Sequence, residues 1–148
     1  MEDEIKKMKK EKWLDVWFTI EALGVSEEIV KSSLEEHVEK LCRVKDVFVY
    51  EKGFKDVKKV EKPMRNIDTA YSYVASVKFF TRTLSTLLGV VLTYGPSSVE
   101  IMGQAKKEIE MGEAQEIANV LAGLVNEFAA AGVGGIVITP PDDKRKQA

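Results

Sequence analysis

The sequence predicts an α+β fold: a ferredoxin-like βαββαβ antiparallel sheet with two helices on one face, followed by a long C-terminal helix and an edge strand. Three observations carry this. From Trp13 to Ala22 apolar and polar residues alternate, with Leu14, Val16, Phe18, Ile20 and Ala22 on one face. Val30, Leu34, Val38 and Leu41 then recur at helical spacing. The change of period happens twice, in the order strand, helix, strand, strand, helix, strand, which places both helices on one face of the sheet.

The bulk properties agree with a folded chain. It has 148 residues, 45% hydrophobic and 31% charged, enough for a core that needs no staples. Domain boundaries are expected at 13–139, with a charged tail over 1–12 and a solvated tail over 140–148. A net charge of −2 supplies no bulk attraction to nucleic acid or to an anionic membrane. The single cysteine, Cys42, excludes an internal disulfide and suits a reducing, cytoplasmic compartment. No segment reads as a signal peptide or a membrane span. Lys and Glu dominate the polar residues while Gln and Asn are sparse, a thermophilic bias.

Each element has its own signals. Gly24 closes the first strand, and Ser26 followed by Glu27 and Glu28 reads as a helix N-cap with acids in the first turn. The helix runs to Cys42, and Val44–Tyr50 is the second strand. A lysine-rich connection follows over Glu51–Asp68, where Pro63 forbids a central strand. Ala70–Phe80 is a strand rich in aromatic and β-branched residues. Leu84, Leu87, Leu88, Val91 and Leu92 stripe the second helix, which Gly95-Pro96 ends. Leu34, Val38, Leu84, Leu88 and Leu92 are expected in the core. Ser98–Met102 is the fourth strand, and Glu113–Ala131 a third helix with Gly132 as its C-cap. Ile136–Thr139 has the composition of an edge strand, stopped by Pro140-Pro141.

Few residues are arranged for catalysis. His37 and Cys42 lie on one helix, but five residues apart they point about 140° away from each other, so they make neither a nucleophile pair nor a metal site. His37 borders the apolar stripe and reads as a structural histidine. Cys42 reads as a small hydrophobe at the helix end. Glu35 and Glu39 share a helix face with Lys31, an ion-paired surface. The glycines at 132–135 follow a helix and precede a strand, the reverse of a phosphate loop. No catalytic residue, metal or cofactor is expected.

Two features carry the binding alternatives. Lys52, Lys55, Lys58, Lys59, Lys62 and Arg65 crowd the connection, either as a solvated hairpin or as a basic finger for an anionic partner with Phe54 for stacking. The sheet face away from the first two helices carries Trp17, together with either Phe48 and Tyr50 or the Tyr71/Tyr73 set. Tyr71–Ala75 lacks the basic-glycine start of an RNA-recognition strand. The third helix, with Ile117, Val120, Leu121, Leu124, Val125 and Phe128, is either an oligomer interface or a lid over that open face. Gly123 in its interior costs about 1 kcal/mol relative to Ala, which a close contact would explain.

The stretch Leu92-Thr93-Tyr94-Gly95-Pro96-Ser97-Ser98-Val99-Glu100-Ile101 resembles small proteins of thermophilic archaea. More distantly it is similar to the C-terminal extension of WYL-domain transcription regulators, although no helix-turn-helix precedes it here. The resemblance implies a ferredoxin-like fold and a ligand-sensing or assembly role, and it transfers no site residues. The leading expectation is a non-catalytic ligand-binding or assembly module acting as a homo-oligomer, with itself and a small molecule as partners. An RNA- or nucleotide-binding protein using residues 52–65 is the second, with nucleic acid disfavoured by the charge. A small enzyme with an interface site is the third.

Overall fold

The computed structural model describes residues 1–64, 67–103 and 106–132, of which 62–64, 67 and 68 by backbone alone. The elements are α1 (Glu2–Lys10), β1 (Leu14–Gly24), α2 (Glu27–Leu41), β2 (Val47–Phe54), β3 (Lys58–Met64), β4 (Ile67–Thr81), α3 (Leu84–Tyr94), β5 (Ser98–Met102) and α4 (Met111–Ala130). The strands form one antiparallel sheet in the order β2-β4-β1-β5, the ferredoxin-like arrangement. The edge strand expected at Ile136–Thr139 and the tail from 140 lie outside the described residues.

β1 pairs with β4 along its whole length, from Leu14 opposite Thr81 to Gly24 opposite Tyr71. Its alternation puts Leu14, Val16, Phe18 and Ile20 into the core with Val77 and Phe79 of β4. Phe18 and Phe79 meet edge to face at 4.7 Å. Truncating Phe18 to Ala would cost about 3–5 kcal/mol, a large part of the roughly 5–15 kcal/mol that holds a domain folded. α2 covers this face through Val30, Leu34, Val38 and Leu41, and its Ser26 cap accepts the Ile29 N–H as the sequence indicates.

α3 is rotated from the expected stripe. Leu87 and Val90 are buried, and Leu84, Val91 and Tyr94 pack against the same core. Leu88 and Leu92 are only half-buried, and Leu92 lines the groove toward α4. Its end is as expected: Gly95 takes the left-handed conformation (φ 56°) that spares a Cβ, and its N–H bonds the Val91 carbonyl.

Two segments differ from expectation. Residues 2–10 form a helix rather than a tail. Glu2, Asp3 and Glu4 in its first turn and Lys7, Lys9 and Lys10 in its last suit the helix dipole. The lysine-rich connection is mostly strand. β2 continues to Phe54, and β3 hydrogen-bonds the first half of β4 while β2 takes the second half. Pro63 is tolerated because β3 lies on the edge.

α4 lies against α3 on the helical side of the molecule, not across the open sheet face. Glu113 reaches Leu84 and Ser85 at the start of α3, while Glu127 shares a groove with Thr93 near its end. The two helices therefore run parallel.

Candidate functional site

Among the described residues, the lysines of the predicted basic finger do not converge. Lys52 lies opposite Val77 on the helix side of the sheet and pairs with Glu39 of α2. That hydrogen bond holds the Glu39 carboxyl below its ordinary pKa and raises the Lys52 ammonium. Lys59, opposite Tyr71, points to the same side and approaches Glu61 at 3.9 Å. Lys58 lies opposite Ser72 and points to the other face. Lys55 follows β2 and is tied by its N–H to the Val74 carbonyl. The side chain of Lys62 and the whole of Arg65 lie outside the described residues. Phe54 is already stacked on Tyr73 at 5.4 Å and 17°.

The open sheet face carries Trp17 with Phe48 and Tyr50, while Tyr71 and Tyr73 pack toward the core. Trp17 and Tyr50 are engaged by the chain itself. Trp17 Nε1 donates to Tyr50 Oη at 3.0 Å, and Tyr50 donates to Asp15 Oδ1 at 2.7 Å. Burial first, and the Asp15 hydrogen bond second, push the Tyr50 phenol up to about 12. Lys78 Nζ sits 4.2 Å from the Trp17 ring centroid and is held there by Glu51 at 2.9 Å. The indole face that would stack a base is covered by a cation. Phe80, under the Tyr50 ring, is 1% exposed although it faces away from α2 and α3.

His37 is half-buried between two helices. Its Nε2 donates to the Tyr94 carbonyl at 3.0 Å and its ring lies 4.8 Å from that of Tyr94, joining α2 to the end of α3. Cys42 is half-buried at the end of α2, and burial pushes its thiol pKa up, away from nucleophilic reactivity. No cluster of three or more metal-ligating His, Cys, Asp or Glu side chains occurs among the described residues. No described helix is long and apolar enough to cross a membrane.

On α4 the structure separates two faces. Val120 and Leu124 are half-buried and line the groove with Gly89 and Leu92 of α3. Ile117 is half-buried as well. Leu121, Val125 and Phe128 remain 45%, 39% and 48% exposed. Spaced at i, i+4 and i+7, they form one stripe turned away from α3.

The family model of the MJ0538 family matches residues 15–138, from the first strand to beyond α4. The chain belongs to the MJ0538 family. That family is named after a protein of Methanocaldococcus jannaschii. No curated protein and no solved structure matches the chain.

Within this member of the MJ0538 family, several anchoring residues carry little local sign of their partners in the sequence. Glu35 and Glu39 are exposed on α2 as expected, and they also hold the sheet: Glu35 accepts the Tyr73 hydroxyl at 3.1 Å, and Glu39 pairs with Lys52. Lys31 pairs with Glu27 rather than with them. Asp15 and Tyr50 sit on separate strands, and nothing in their local sequence links them. Glu113 gave a clearer signal, since an acid near a helix start is suited to capping, but the helix it caps is α3 and not its own.

Proposed function

We propose that this MJ0538-family chain is a non-catalytic assembly module, a homo-oligomer held together through α4. The observation that carries the reading is the exposed stripe of Leu121, Val125 and Phe128. Among the described residues α3 is the element packed on α4, through the helix's other apolar face, and none is packed on this second one. Leaving three large side chains half in water forgoes a few kcal/mol that a partner surface would recover.

The partner is a second copy. From Ile117 to Asn126 the helix carries no charge, so it offers no field by which a charged partner would be selected. A neutral, apolar stripe meets its own copy across a two-fold axis without like-charge contact along this stretch, and antiparallel α4 helices would oppose their dipoles favourably. The likeness of residues 92–101 to the WYL-regulator extension fits a sensing role for such an assembly. One half-buried cysteine without a disulfide fits a reducing, cytoplasmic setting.

Sedimentation of the wild type against Leu121→Glu tests this. The wild type is expected to sediment as a dimer or larger at micromolar concentration, and the variant as a folded monomer. A wild type that is monomeric under those conditions overturns the assembly reading.

A further inference from the structure

A cleft of about 270 Å³ opens between the end of α1 and the sheet face opposite α2 and α3. Its apolar walls are Trp13, Met102 and the buried Phe80; its cationic side is Lys9 and Lys12. We propose that this cleft binds a small aromatic anion, with the ring against Trp13 and Met102 and the acidic group between the Lys9 and Lys12 ammonium groups. The site is independent of the α4 stripe. Lys9, Lys12 and Trp13 also precede the segment matched by the family model.

The backbone at Lys12 singles this residue out. α1 ends in a Schellman motif, in which the Trp13 N–H bonds the Met8 carbonyl at 2.9 Å and the Lys12 N–H bonds that of Lys9 at 3.1 Å. The residue at the left-handed position of that motif is usually glycine, because a Cβ is strained there. Here it is Lys12, at φ 61°. A strained side chain that lines a cleft is where function is to be sought first. The segment is also pinned from a distance: Lys107 Nζ donates to the Lys12 carbonyl at 3.1 Å, bringing a third ammonium beside it.

Charge and size define the ligand. Neither Lys9 nor Lys12 has a carboxylate partner among the described residues. The one acid in the wall, Asp15, already accepts the Tyr50 hydroxyl on Oδ1. Its charge disfavours ligands with acidic groups at both ends. The volume lies just under the roughly 300–1,000 Å³ typical of drug-sized ligands, which suits a single ring. The acidic group is a carboxylate or a phosphate monoester, since two ammonium groups serve either.

The test follows the two indole N–H signals of the full chain by NMR during titration with benzoate and with phenyl phosphate. Acetate, inorganic phosphate and benzyl alcohol are the controls. Saturable movement of the Trp13 signal in the low-millimolar range with one or both aromatic anions is expected, and which of them binds tighter identifies the acidic group. The controls should leave it unmoved at the same concentrations. Lys12→Gly should raise Tm by relieving the backbone while weakening binding by about tenfold or more; Lys9→Met should weaken binding with Tm unchanged. No saturable movement of Trp13, an equal response to benzyl alcohol, movement of Trp17 alone, or unchanged affinity in both variants would each overturn the proposal.

Discussion

Glu113 Oε1 accepts the backbone N–H groups of both Leu84 and Ser85, at 2.6 and 3.2 Å, so the first turn of α3 is capped by a residue of α4. Thr83 Oγ1 takes the next N–H, that of Thr86, at 3.1 Å. The Ser85 hydroxyl adds a hydrogen bond to Glu116 Oε2 at 3.1 Å. α4 has no side-chain cap of its own, so these acids fix its start as well as that of α3.

Replacing Glu113 by Ala should therefore cost about 1–2 kcal/mol, the range of a lost helix cap, and should loosen both helices. Urea denaturation reads the first effect, and amide exchange along 111–124 reads the second. A variant as stable as the wild type, with α4 equally protected, would show that the contact is incidental.

Tyr50 should ionise late. Its pKa lies at about 12, raised mainly by burial, against an ordinary phenol near 10. Burial and the Glu35 hydrogen bond raise Tyr73 as well. Because the folded value is the higher one, the stability that neutral Tyr50 contributes is complete below about pH 10. It is lost as pH rises through that value toward 12. Absorbance titration should show a late-ionising group that disappears in Tyr50→Phe. Four tyrosines titrating together near their ordinary value would contradict this.

Gly123 should be replaceable. A Cβ built there meets nothing within 4 Å, and the residue lines the groove to α3 rather than the exposed stripe. Gly123→Ala is expected to stabilise the chain by about 1 kcal/mol through helix propensity and to leave the sedimentation coefficient unchanged. A loss of stability would mean that another chain enters the groove at that point.

Single-stranded RNA should not be retained at physiological salt, and replacing Lys55, Lys58 and Lys59 by Glu should change nothing. Lys58 and Lys59 point to opposite faces of the sheet, Lys52 is paired with Glu39, and Lys78 covers the Trp17 ring. A sub-micromolar complex whose affinity falls steeply with salt would reverse this expectation.

The parts of the fold legible in the sequence were those set by periodicity and local turn chemistry. The dry face of β1, the Ser26 cap, the α2 stripe and the Gly95 stop were all readable, because each is decided within a few residues. α1 has no apolar stripe to betray it, because this helix is favoured by acids at its start and lysines at its end. β3 was missed because Lys and Pro are poor strand residues; pairing with the long β4 outweighs that preference. The α4 residues were identified, but which of its two faces meets α3 is settled by Glu113 and Leu84, which are far apart in the chain. The cleft at Lys12 was invisible for the same reason, since its walls come from α1, β1, β4 and β5.

The pairing of β1 with β4 sets the timing of synthesis. β1 leaves the ribosome before either of its hydrogen-bonding neighbours: β4 begins at Ile67 and β5 at Ser98, and Leu14 must wait for Thr81. At roughly 5–20 residues per second that interval lasts on the order of several seconds. During it, Leu14, Val16, Phe18 and Ile20 have α2 as cover but no strand beside them. β2 and β3 cannot help, because both attach to the sheet through β4 alone. The nascent chain therefore holds an unpaired apolar strand until residue 81 emerges, and a pause in translation between β2 and β4 would prolong the stage at which it is most prone to aggregate.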